Sequence, residues 1–145
     1  MVDTRHVGVA GAPFSVHVEL GKVREFLRAT RGADVPEGDE APCAPPTFLM
    51  TASAWADQAS LPWGDEPPSF ERLLHGEQEF TFHGSPPRVG QVLTAQMRID
   101  KVYEKSGRRG GPMRFIETVI EFRDRDTGVH LADSRATLIE RGLPA

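Results

Sequence analysis

Phe14, Val16, Val18 and Leu20 alternate with Ser15, His17 and Glu19. Successive side chains of a strand point to opposite faces, so this period predicts a half-buried strand over residues 13–20. After Gly21 the period changes. Val23, Phe26, Leu27 and Thr30 follow the i, i+3, i+4, i+7 spacing, with Lys22, Arg24, Glu25 and Arg28 elsewhere, which predicts a short amphipathic helix ending near Gly32. Residues 31–46, RGADVPEGDEAPCAPP, hold four prolines, two glycines and four acids and read as a loop or flap. The segment PPTFLMTASAWADQA then offers proline at a helix entry and Phe48, Ala52, Trp55, Ala56 and Ala59 on one stripe. Rich in alanine and uncharged until Asp57, it predicts a long buried helix over about 47–59.

A second loop, SLPWGDEPPS, leads through FERLL into LLHGEQEFTFHG, residues 73–84. Strict alternation there places His75, Glu77, Glu79, Thr81 and His83 on one face and Gln78, Phe80 and Phe82 on the other. Three more alternating runs follow: VLTAQMRI, RFIETVIEFR and HLADSRATLIE, separated by the turn signals SGRRGGP and RDTG. Consecutive strands without crossover helices imply an antiparallel sheet, and one long apolar helix needs a concave surface to wrap it. The expectation is an α+β chain in which a curled antiparallel sheet surrounds one long buried helix.

At 145 residues the chain is one domain, 1–145, with its core expected over about 13–141. Lys+Arg 17 against Asp+Glu 21 gives a net charge of -4, so nothing attracts a phosphate backbone overall and no nucleic-acid partner is expected. Cys43 is the single cysteine, which excludes an intrachain disulfide. Beside prolines, and with no sequence neighbour to lower its pKa, it is not read as a nucleophile. No apolar run approaches the ~20 residues of a membrane helix, and no leader pattern opens the chain, so a cytoplasmic protein without a membrane partner is expected.

The polar row of 73–84 admits three readings. His75 with Glu77 or Glu79 would be an acid/base pair; His75, Glu77 and His83 would be metal ligands; or the stretch is a strand with one polar face. The third is preferred, and no metal is expected. Asp57, near the end of the buried helix, is a further carboxylate candidate.

The runs APPTF, LHGEQEF, VYEKSGRRGG and TLIERG resemble the N-terminal MaoC-like dehydratase family, also called the FAS1-like dehydratase domain, and the similarity extends from about Phe14 to Arg141. The resemblance implies a single hot dog fold. It implies acyl thioesters of coenzyme A or acyl carrier protein as substrates, with the pantetheine belonging to the substrate and no other cofactor. The implied chemistry is hydration of a trans-2-enoyl group or its reverse. Members form half of a double hot dog, fused to or paired with a catalytic MaoC-like half, so a homodimer or heterodimer is expected.

The catalytic half of such enzymes carries a D-x-N-P-x-H motif on the flap before the central helix. Here the corresponding stretch is GADVPEGDEAPCAPPTF: Asp34 and Pro36 echo the pattern, Val35 replaces the Asn, and no histidine occurs between His17 and His75. The resemblance therefore implies an accessory half with no catalytic residue of its own, the fallback candidates being His75, Glu77, Asp34 and Asp57. The alternatives are a self-sufficient homodimeric hydratase with rearranged residues and a non-enzymatic acyl-thioester binding protein. Thr47, Phe48 and Trp55 are expected to line the acyl site, and Arg108 and Arg109 to offer forked donors to coenzyme A phosphates unless they sit on a solvated hairpin. Because the strand after the central helix pairs across hot dog dimers, His75, Glu77, Gln78, Glu79 and Phe80 are expected at the interface.

Overall fold

The computed structural model describes residues 2–35, 38, 41–107 and 111–142. Five strands form one antiparallel sheet: β1 (Phe14–His17), β2 (Leu73–Phe82), β3 (Val92–Gly107), β4 (Gly111–Asp124) and β5 (His130–Arg141), in the spatial order β1-β3-β4-β5-β2. The helix α1 (Leu20–Ala29) follows β1 directly, burying Val23 and laying Phe26 and Leu27 on the core. β1 is shorter than its alternation predicts, because Glu19 already serves as the N-cap of α1.

Residues of one face meet across the ladder, which identifies the concave side. Val16 lies opposite Leu93, Ala95 opposite Phe122, and Phe122 opposite Ala132. These residues join Val18, Val23, Ala44, Phe48, Leu49 and Ala52 in one buried cluster. A second cluster holds Val2, Trp63, Met97, Ile99 and Ile116. Val2 and Trp63 come from a terminal segment and a turn with no period of their own, so the sequence pattern did not mark them as core.

The segment wrapped by the sheet differs from expectation. Instead of a long α-helix over 47–59, Pro46–Ala54 is a nine-residue 3₁₀ helix, and a separate 3₁₀ turn spans Gln58–Ser60. The reason is local. Hydroxyls of Thr51 and Ser53 donate to the carbonyls of Phe48 and Met50 three residues back, at 2.8 and 3.3 Å, favouring the tighter turn. Asp57 then ends any continuation, since its carboxylate caps the next turn by accepting from the Ser60 N–H at 2.9 Å. Phe48 and Ala52 are buried as expected and Leu49 joins them, whereas Trp55 and Ala56 are only half-buried and Ala59 is exposed. Among the described residues no helix is long and apolar enough to cross a membrane.

The even alternation of β2 also fails. Pairing with β5 runs His75 to Leu138 and then Glu77 to Thr137, leaving Gly76 as an extra residue in a bulge. A Cβ at Gly76 would stand 2.8 Å from Ile139 Cδ1 and 3.1 Å from the Thr137 carbonyl oxygen, so glycine is what lets β5 come this close. The bulge turns His75 onto the concave face with Gln78, Phe80 and Phe82. Glu77, Glu79 and Thr81 remain on the outer face.

Candidate functional site

A groove of 490 Å³ runs between α1 and the central 3₁₀ segment. Phe26, Ala29, Phe48, Ala54 and Trp55 give it apolar walls, and Lys22 and Glu25 form a charged rim with their side chains 3.3 Å apart. The rings of Phe26 and Phe48 pack edge to face at 5.7 Å. The indole of Trp55 lies 5.9 Å from the ring of His17. An apolar trough with a few polar groups at its edge suits an extended acyl chain. Of the residues expected to bind substrate, Phe48 and Trp55 meet here. Thr47 is exposed and does not line the groove, and Arg108 and Arg109 lie outside the described residues. Lys22 and Glu25 carried no such expectation, since on a helix wheel they belong simply to the polar side.

A smaller cavity of 150 Å³ lies under the sheet near β2 and β5. His75 lines it beside Leu49, Met50, Trp63, Gln78 and Ser134. The Gln78 amide donates to Ser134 Oγ at 2.8 Å and to the Arg135 carbonyl at 2.9 Å, so it is held within its own chain. Among the described residues lining this cavity none is a carboxylate. The acid/base pair of His75 with Glu77 or Glu79 is therefore not formed, nor is the metal trio of His75, Glu77 and His83: the bulge at Gly76 sets His75, itself exposed, on the face opposite to Glu77 and Glu79.

On the outer face, Glu77 and Glu79 border a hollow of 260 Å³ with Lys101, Glu117 and Arg135. Lys101 Nζ is 3.1 Å from Glu117 Oε2, and beside them Asp100 is clasped by Arg98 and by Arg135, the latter at 3.0 Å. The hydrogen bond from Arg98 outweighs partial burial and, reinforced by Arg135, holds the Asp100 carboxyl below its usual range. A carboxyl whose pKa is lowered by folding adds stability above its ordinary pKa and loses it as pH falls through the folded value. Melting temperature should thus decline below about pH 4, and the decline should be shallower in Asp100→Asn, as thermal melts from pH 5 to pH 2 would check.

The other fallback carboxylates are engaged locally. Asp34 is exposed, its Oδ1 accepting from the Val35 N–H at 2.8 Å, in a hollow whose described lining is Arg24, Arg28 and Val35 besides itself. Asp57 accepts from both the hydroxyl and the N–H of Ser60, and the first of these is the main reason its carboxyl is held below the usual range. It is a cap rather than a free acid. His83, by contrast, gains partners that sequence spacing did not show: Asp133, 50 positions on, and His130.

Comparison with known proteins agrees with this architecture. The model of the family described as "FAS1-like, dehydratase domain region" matches residues 5–134. A protein of Clavibacter michiganensis called "UPF0336 protein" is 32% identical over 143 residues, covering 92% of this chain and 89% of that one. A chain of the Mycobacterium tuberculosis HadBC complex, described as a 3R-hydroxyacyl-ACP dehydratase, superposes with a TM-score of 0.67 at 22% identity, covering 92% of this chain and 98% of that one. A MaoC-like dehydratase from Phytophthora capsici superposes with a TM-score of 0.70 at 19% identity, covering 99% of this chain and 51% of that one. The curled five-stranded antiparallel sheet with few helices is a single hot dog domain.

Proposed function

Because this chain belongs to the FAS1-like dehydratase domain family, we propose that it is the accessory half of an (R)-specific enoyl-thioester hydratase or 3-hydroxyacyl-thioester dehydratase, shaping the acyl site while a MaoC-like partner supplies the Asp and His. Hydration needs one group to take a proton from water as its oxygen attacks the β-carbon and a proton donor for the α-carbon; dehydration reverses both transfers. The observation that carries this reading is the apolar groove at Phe48 and Trp55, next to a flap without a histidine. Asp34, the one acid that echoes the catalytic motif, keeps company with Arg24, Arg28 and Val35 in its hollow rather than with an imidazole.

Among the described residues β2 is an edge strand, bonded to β5 on one side. A free edge of ten residues invites a further strand, and Phe70 and Leu74 expose apolar surface at its beginning. These features support pairing with a second hot dog. His75 lining an open hollow on the concave face favours a second reading, a homodimer that does its own chemistry through that imidazole.

Purified chain should be assayed on crotonyl-coenzyme A and on a longer enoyl thioester, alone and after co-expression with a MaoC-like subunit bearing D-x-N-P-x-H, with light scattering on each sample. The accessory role predicts turnover only in the mixed complex and a mass above the 16.0 kDa monomer. Full turnover by the chain alone would establish the homodimeric reading instead. Thioester binding without turnover in any combination would leave a binding module.

A further inference from the structure

At the far end of β2 from the bulge, His83, His130 and Asp133 offer three ligand atoms that all lie within 4.8 Å of one another. The order of the ladder brings them together: Thr81 lies opposite Asp133, the His83 N–H donates to the Leu131 carbonyl at 2.9 Å, and His130 begins β5. Each imidazole addresses a different oxygen of one carboxylate, His83 Nε2 at 2.9 Å from Oδ2 and His130 Nε2 at 2.8 Å from Oδ1. The two rings stack obliquely with centroids 4.2 Å apart. Burial pushes the Asp133 carboxyl up, but hydrogen bonds from His83 and His130 outweigh it and hold the group below the usual carboxylate range. Nearby, Arg123 lies opposite His130 in the ladder, yet its guanidinium reaches toward Glu121 Oε2 at 3.4 Å and the Gly128 carbonyl at 3.5 Å.

We propose that His83, His130 and Asp133 form a binding site for a divalent transition-metal ion of the zinc type, tying the end of β2 to the start of β5. Two neutral imidazoles and one carboxylate are the donor set that such ions take, with bonds of about 2.0–2.2 Å and one position left open. Imidazole donors select against magnesium and calcium, which prefer all-oxygen shells. In the ion-free arrangement each Nε2 faces a carboxylate oxygen and carries the proton between them. On binding, that proton leaves Nε2 for solvent or for Nδ1, the Nε2 lone pair turns to the ion, and one carboxylate oxygen follows. His83 retains 38% side-chain exposure and His130 29%, so both rings have room to turn toward an ion. The open position and this exposure make it an exchangeable site, and it stands apart from the groove at Phe48 and Trp55, so it does not depend on the reaction proposed above.

The test is calorimetric titration of zinc chloride into the whole chain, with cobalt(II) absorption as a spectroscopic readout. One zinc per chain is expected, with binding weakened at least about tenfold in both His130→Ala and Asp133→Asn. The visible bands of four-coordinate cobalt should appear in the parent and vanish in His130→Ala. His6→Ala is the control, since His6 lies near the carboxylates of Asp3 and Glu66, at 3.3 and 3.8 Å, in another cluster. Magnesium chloride should neither bind nor compete. Binding weaker than about 1 mM, binding that survives both substitutions, or binding lost in His6→Ala would each overturn the proposal. His83→Ala serves as a further ligand deletion should Asp133→Asn prove unstable.

Discussion

Phe48→Ala is expected to destabilise the protein by about 3–5 kcal/mol, the usual cost of removing a fully buried ring. Phe48 is 2% exposed and touches both halves of the main core: its neighbours in the buried cluster come from the strands, from the flap at Ala44 and from α1 at Val23. Its ring also meets Phe26 edge to face, a contact that alanine cannot replace. The residues packed around it, Val23, Leu49 and Ala52 among them, are themselves buried in the same cluster, so truncation leaves a cavity in the core. Trp55→Ala makes the comparison. Its indole is only half-buried at the end of the segment, so its loss should cost about 1 kcal/mol while raising KM of a reconstituted enzyme, because the indole forms a wall of the groove. Urea denaturation of both variants, read for midpoint and slope, distinguishes the two roles.

The difference between those two residues shows where the sequence was informative. Period-two alternation marked all five strands, including the runs whose Ala95, Met97, Ile99, Ile116 and Phe122 prove to be buried, because burial on one face of a sheet imposes that period directly. The central segment was located correctly but misread in kind. Phe48 and Ala52 fall on one stripe in an α-helix and are buried in the 3₁₀ helix as well; Trp55 and Ala59 are not, since the 3₁₀ helix stops at Ala54 with Trp55 as its C-cap and Ala59 lies in the separate turn that follows. The signal that could have separated the two was the pair Thr51 and Ser53 within an alanine-rich run, followed by Asp57, a residue that caps helices better than it continues them.

At the candidate site the misreading came from one residue. Gly76 interrupts the alternation of LLHGEQEFTFHG, and glycine inside a strand pattern is a bulge signal. Counting through it placed His75 beside Glu77, and so suggested a catalytic pair that the fold pulls apart. The cluster of His83, His130 and Asp133 was illegible for a different reason. His83 is separated from His130 and Asp133 by the whole of β3 and β4, and only the register of β2 on β5 unites them. Spacing in sequence carries no information about a register set by packing on the other face.

The turn of His75 onto the concave face, away from Glu77, makes its replacement the most discriminating change for function. Were it the general acid or base, His75→Ala would lower turnover about 10²–10⁴-fold with the fold intact. The expected outcome is a kcat of the reconstituted complex within about tenfold of the parent, because His75 has no carboxylate among the described residues lining its cavity to orient it or take up charge. Its contribution should instead be steric and through hydrogen bonding, on the order of 1 kcal/mol of stability or association. Glu77→Gln, on the outer face, should be equally mild in turnover. The flap histidine of the MaoC-like partner should behave oppositely: its alanine variant should lose that 10²–10⁴-fold or more while the complex assembles normally. Single-turnover rates measured with the subunit dissociation constant separate the cases, since a fully assembled but slow His75→Ala complex would place the proton transfer on this chain.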